Sequence, residues 1–494
     1  MSIFRTKPLS KLLEQAADHA HGLKRTLTAK GLVALGIGAI IGAGLFVRTA
    51  AASAQAAGPA VTLSFLVAAI GCAFAGICYA EFASMIPIAG SAYTYSYVTM
   101  GEFIAWIIGW ALVLEYALGA ATVAISWSEY LNNLVGGSIP YQWCHSALQT
   151  SPTGIHGIVN APALTILLLL TLLLMKGTQE SALVNAIIVI VKVSIVIAFI
   201  VVGWGFISPV NHHPFLIPAG TPGHEGIFRH GWGGVLGGAG IVFFAFIGFD
   251  AVSTAAQEAV NPARDMPRGI LGSLAICTVL YVLFGYVITG VGRWQEFLTV
   301  GKEASVAYTI QHHMPGYGWL ATLVTVAILF GFSSVILVML LGQSRVFYSM
   351  ANDGLLPKVF SALHPKYRTP YKSNAILFVF VGALAGFLPG DITGDLTSIG
   401  TLFAFVLVSF GVWIMRRKQP EVHRPFRTPL VPLVPLLGMI ICSGMIISLD
   451  HSSQLTAFVW MLIGLVVYFS YGKRHSILNR PEFDEAVSLE TANR

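Results

Sequence analysis

Twelve stretches of roughly 20 largely apolar residues run through this chain, each the length of helix that crosses a hydrocarbon layer of about 30 Å. They centre on windows 31–50, 60–83, 103–132, 160–176, 182–207, 235–256, 269–292, 317–344, 373–389, 397–415, 429–449 and 455–472. Such stretches are too long for barrel strands, and a backbone in lipid must satisfy its own N–H and C=O groups. The expected fold is therefore an all-α integral membrane protein. Composition agrees, with 55% hydrophobic and only 10% charged residues.

The placement of Lys and Arg sets the orientation. With both termini cytoplasmic, 23 basic residues fall inside and four outside (Arg48, Arg229, Arg293 and Lys302), while Lys192 lies within a span. The net charge of +6 is then a topology signal, and the expected partner is a lipid bilayer, the cell membrane, rather than a nucleic acid. Residues 1–30 lack the apolar core of a cleavable signal. Leu9, Leu12, Leu13 and Ala16 share one helical face, which suits either a surface helix at the inner leaflet or a partly ordered tail. Cys72, Cys78, Cys277 and Cys442 lie in spans and Cys144 in an outer loop, so no disulfide framework is expected. The histidine pairs 19/21, 212/213 and 312/313 fall in tails and loops at spacings that match no metal site, and surface positions are expected for them. No cofactor is expected.

Two spans are interrupted by glycine: Gly36-Ile-Gly-Ala-Ile-Ile-Gly-Ala-Gly-Leu-Phe46 and Gly237-Gly-Ala-Gly-Ile-Val-Phe-Phe-Ala-Phe-Ile-Gly-Phe-Asp250. Glycine weakens a helix by about 1 kcal/mol against alanine. Taken alone, Gly38-Ala-Ile-Ile-Gly42 also reads as a helix-packing face. Repetition five spans later favours unwinding. The spans divide into five-helix repeats at 30–210 and 230–416 and a pair at 428–472, between tails 1–29 and 473–494. Five is odd, so the second half enters the membrane from the opposite side, as in an inverted repeat. Paired interruptions in such repeats mark a substrate site at the bilayer midplane.

Unwound peptide groups in hydrocarbon need polar partners. Amides beside Gly42-Ala43-Gly44, at the positive end of a half-helix, suit a carboxylate. Carbonyls of Ile40 and of Phe244–Ile247 suit an ammonium group. A ligand that brings both charges is an α-amino acid, and the chain reads as its transporter. No nucleophile–base pair, metal cluster or nucleotide loop points to an enzyme or an ATP-driven pump.

The broken-helix motif is followed by Tyr79-Ala-Glu-Phe82, Pro87-Ile-Ala-Gly-Ser-Ala-Tyr-Thr-Tyr-Ser-Tyr97, and Gly109-Trp110 before Leu114-Glu-Tyr116. Next come Ile247-Gly-Phe-Asp250, Glu258-Ala-Val-Asn-Pro262 with Arg264 and Pro267, and Arg345 ahead of Asp353-Gly-Leu-Leu-Pro357. In this order, over about residues 25–475, they resemble the amino acid–polyamine–organocation permeases, most of all the cationic amino acid transporter branch and its bacterial relatives. The resemblance implies two inverted five-helix repeats and alternating access around helices 1 and 6. It implies a substrate site at Ile40, Ile41, Gly42, Ala43, Gly44, Phe244, Ala245, Ile247 and Met339. Amides around Ala43 and Gly44 would take the carboxylate, carbonyls at Ile40, Phe244 and Ile247 the amine, and Phe244 would be a gating lid. Two departures speak against arginine or lysine as cargo: Ala43 stands where many cationic transporters have threonine, and bulky Met339 shortens the side-chain pocket.

Lys192 stands about ten positions into its span, roughly 15 Å deep. A central lysine costs about 2.5–3.5 kcal/mol on insertion, and snorkelling suits only helix ends. Similar permeases that need no sodium carry a lysine at the matching place. The expectation is that Lys192 tethers the first broken helix and carries a coupled proton, a fixed tether alone being the alternative. Glu115 either lines the pocket or passes a proton, or it ties helices together as a protonated or amide-bonded carboxyl. Asp250 either caps the helix after the break or meets the pathway. Glu81, Arg345 and Asp353 are expected in inner-gate ion pairs. The leading function is proton-coupled uptake of L-amino acids, with obligatory exchange and transport-silent sensing as alternatives.

Overall fold

Runs rich in Leu, Ile, Val and Ala become helices where the backbone has no water to turn to. A computed structural model of the chain describes residues 5–7, 27–86, 91–177, 182–298 and 305–479, without the side chains of 182–185, 254 and 257. Leu9, Leu12, Leu13 and Ala16, the His19/His21 pair, the 87–90 part of the motif and Lys302 lie outside the described residues. Among those described, the only strand-like pairings are isolated bridges such as Leu27 with Ala259.

Among the described residues, eight helices are long and apolar enough to cross a membrane: Gly44–Met85, Glu102–Leu134, Ala186–Trp204, Gly231–Ser253, Pro262–Val291, Gly318–Asn352, Gly390–Lys418 and His451–His475. Four shorter apolar helices, Ala29–Ile40, Ala161–Met175, Tyr371–Phe387 and Leu433–Ser448, accompany them. Helix occupies every window read from the sequence. Local chemistry sets several starts. The Thr28 hydroxyl accepts from Gly31 N–H at 3.4 Å, Asn160 caps Ala163 N–H at 3.2 Å, and Pro262 opens its helix where an amide is dispensable.

Packing joins helices that are far apart in the sequence. Val61–Met85 lies on Pro262–Val291, Glu102–Leu134 on Gly318–Asn352, and Ala161–Met175 on Tyr371–Phe387. Between these pairs the two broken segments touch.

The first interruption falls at Ile41 and Gly42, after which the chain rewinds through a π-helical turn, Gly44–Arg48. The second differs from expectation. Gly237, Gly238 and Gly240 stay within the regular helix Gly231–Val242, where they let Phe228, Ser64 and Met445 pack against the backbone. The chain tightens into a 3-10 turn at Phe243–Phe246 and loses helical form only at 247–250. A buried helix, Ser91–Thr99, lies between the second and third windows read from the sequence. His212 is also buried rather than at the surface, its Nε2 3.1 Å from the Tyr286 carbonyl.

Candidate functional site

The two breaks come into contact because a glycine lets them meet. A Cβ on Gly44 would overlap the backbone N and Cα of Ala245. From the other side, Gly248 takes φ +115°, and a Cβ there would sit 2.8 Å from the Ala39 carbonyl oxygen. That left-handed conformation is open to glycine at no steric penalty. Gly42, Ala43 and Gly44 lead into the outer half-helix with no preceding turn to accept from their amides. No acceptor for these amides is found among the described residues. The Ile41 side chain is buried beside them.

The carbonyls at the two breaks are partly committed. Tyr281 Oη lies 3.0 Å from the Ile40 carbonyl and 2.9 Å from that of Ala245, so one hydroxyl bridges both breaks. The Phe244 carbonyl accepts from Ile247 N–H at 3.3 Å. Each carbonyl retains a second lone pair for a ligand.

Aromatic packing separates Phe244 from its neighbours. Phe243 packs edge-on against Phe405, and Phe246 against Phe65 and Tyr281. No ring packs on Phe244 among the described residues, though the side chain is buried. Val335 meets Gly42, and one turn further along the same helix the Met339 sulfur lies 3.6 Å from where a Cβ on Gly119 would stand.

Lys192, 3% exposed, donates to the Gly38 carbonyl at 2.9 Å, in the last helical turn before the first break, and to Ser334 Oγ at 3.4 Å. Its stem crosses Gly331, where a Cβ would lie 2.9 Å from Cε. A single ammonium therefore joins three helices: its own, Ala29–Ile40 and Gly318–Asn352.

Glu115, 1% exposed, has the Thr401 hydroxyl nearby but no hydrogen bond of ordinary geometry at either oxygen among the described residues, and it lies within electrostatic reach of Asp250. Asp250 accepts from Tyr116 Oη at 3.2 Å. The two acids thus belong to one buried polar region on the far side of the second break.

Ion pairs bracket the region. Arg48 is buried against Asp395, with Asp391 at 3.7 Å. Glu81 is gripped by Arg416 through two contacts of 2.9 Å and by Arg424 at 3.1 Å, and its Oε2 also accepts from Thr428 N–H at 2.7 Å. These partners lie at the end of Gly390–Lys418 and in the loop beyond it, so Glu81 anchors that loop. Asp353 pairs with Lys7 at 3.0 Å. Arg345 has Glu258 within electrostatic reach. Sequence reasoning missed Tyr281, Ser334 and the Arg48–Asp395 pair. The spacing of Asp391 and Asp395, four apart on one helical face, was the available signal for the last.

A pattern described as amino acid permease matches residues 27–473. A branched-chain amino acid permease, BcaP, of Bacillus subtilis (strain 168) is 42% identical over 97% of this chain and 99% of its own length. A methylthioribose transporter of the same organism is 40% identical over 97% of this chain and all of its own. A vacuolar cationic amino acid transporter, number 4 of Arabidopsis thaliana, is 35% identical over 85% of this chain and 68% of its own.

Proposed function

Because this chain belongs to the amino acid permease family, whose members are multi-pass membrane transporters and not enzymes, we propose that it takes up L-amino acids together with protons by alternating access. The single observation that carries the reading is the meeting of two helix breaks at Gly44 and Ala245, with unpartnered amides on one side and carbonyls on the other. The α-carboxylate binds the amides of Gly42, Ala43 and Gly44, and the α-ammonium binds carbonyls of Ile40, Phe244 and Ile247. Phe244, held by no ring neighbour among the described residues, swings as the lid.

Twelve crossings, both termini in the cytoplasm of a cell-membrane protein, and an inverted repeat complete the proposal. The packing of three early helices on three later ones, Val61–Met85 on Pro262–Val291, Glu102–Leu134 on Gly318–Asn352 and Ala161–Met175 on Tyr371–Phe387, supports the repeat. Lys192 is the proton carrier. Charged, it clamps Gly38 and holds the first break; neutral, it releases the inner half of that helix. Glu115, buried within reach of Asp250, passes the proton onward past it. Neutral side chains fit best, since Met339 shortens the pocket and a branched-chain permease is among the relatives.

Purified protein in liposomes tests this reading. Empty vesicles with an acidic exterior accumulate leucine, isoleucine or valine without sodium, whereas an obligatory exchanger stays silent until amino acid is loaded inside. Lys192→Met abolishes the response to the pH gradient. A variant that still accumulates fully would remove the lysine's role. The likeness to a methylthioribose transporter supports a second reading, a neutral thioether sugar as cargo. Thermal stabilisation by methylthioribose and by no amino acid would establish it instead.

A further inference from the structure

The short helix Ser91–Thr99 carries three tyrosines at alternate positions, Tyr93, Tyr95 and Tyr97. Residues four apart share a helical face, and a residue two positions on turns about 200° away. Tyr95 accordingly faces the spans: it stacks on Phe82 at 5.2 Å, packs on Tyr79 and lies beside Ser253 of the short helix after the second break. Tyr93 and Tyr97 face the other way. Tyr93 Oη donates to Asp353 at 2.8 Å, and Tyr97 Oη to Glu102 at 3.1 Å.

The N-terminal residues 5–7 lie across this outward face. Lys7, only 5% exposed, pairs with Asp353 at 3.0 Å, and its amide donates to the Tyr97 carbonyl at 3.2 Å. The Arg5 carbonyl accepts from Glu102 N–H at 2.9 Å, and its guanidinium donates to the Leu478 carbonyl at 2.7 Å. The C-terminal segment joins in, Ser476 and Tyr468 donating to Glu102 and Ile477 N–H to the Asp353 carbonyl.

The geometry points to residues 5–7 as an intramolecular latch: they pin Ser91–Thr99 against the inner end of the second broken helix and so hold the cytoplasmic side of the pathway closed. Asp353 is the keeper. With Lys7 in place its charge is neutralised and Tyr93 is held; without it, a buried carboxylate faces Tyr93 alone and the helix loosens. The consequence for the pathway rests on the alternating-access reading, whereas the latch itself does not.

The experiment uses Lys7→Gln, Asp353→Asn, a protein lacking residues 1–7, and the charge reversal Lys7→Asp with Asp353→Lys, all in lipid nanodiscs. Amide exchange over 91–99 reports the latch. Labelling of Ser253→Cys by an impermeant maleimide from the cytoplasmic side reports opening. Both rates rise at least threefold in the two single variants and in the shortened protein, and the reversal brings them back towards the original. Unchanged exchange over 91–99 in the protein lacking residues 1–7 overturns the latch, and so does faster exchange with unchanged labelling. A protein that shows both effects yet moves no amino acid refutes the transport reading and leaves the latch standing.

Discussion

Adding one methyl group at Gly44 tests whether the two breaks have to touch. The new Cβ would overlap the N and Cα of Ala245. Backbone cannot rotate aside as a long side chain can. Ala245 is moreover fixed by Tyr281 Oη on its carbonyl and by the packed rings of Phe243 and Phe246 on either side. Relief requires the breaks to part. Overfilling a packed interior costs about 1–3 kcal/mol. Charged to the ligand-competent arrangement, that is a loss of about 5- to 150-fold in its population and an equal rise in apparent Kd. Gly444→Ala is the control: Gly444 is mid-helix with open space around it, and alanine there favours the helix by about 1 kcal/mol without touching the site. Binding of leucine followed by thermal shift, with uptake into liposomes alongside, gives the readout. Gly44→Ala protein that binds within twofold of the original would refute the idea that recognition depends on this contact.

Phe244→Ala loses retention of bound amino acid, seen as at least tenfold faster release in filter-binding decay, with a smaller loss of stability than Phe246→Ala, whose ring packs on Phe65 and Tyr281 and whose removal destabilises by about 3–5 kcal/mol. Equal stability losses in the two variants would count against a mobile lid. Met339→Ser opens the space towards Gly119 and raises competition by lysine or arginine against leucine uptake about tenfold; an unchanged selectivity profile places the pocket wall elsewhere. Glu81→Gln leaves the Arg416 and Arg424 guanidiniums without their counter-charge and destabilises by about 3 kcal/mol, the low end for a broken buried pair because Arg416 is partly solvated. Loss of monodisperse protein on a heating series checks it, and an unaltered midpoint contradicts the anchoring role.

What could be read from the sequence, and what could not, follows from the range over which each property acts. Apolar length is local, so helix occupies each of the windows, and the break at Ile41 and Gly42 lies beside the glycines that signalled it. The second break shows the limit. Glycine serves both to unwind a helix and to let a neighbour close in, and at Gly237, Gly238 and Gly240 the second use prevails. Only Gly248, with its positive φ, marks the opening. Lys192 was conspicuous because the insertion penalty of a mid-span ammonium demands a partner, but the sequence could not say that the partner was Gly38, 154 positions away. Tyr281 gave no signal at all. A tyrosine in a span is ordinary until folding brings two freed carbonyls from different halves within reach of one hydroxyl. The rule that buried polar groups must be matched can be applied residue by residue along a chain. The identity of the match is a property of topology, and in this protein topology sets the partners of nearly every group that holds or opens the site.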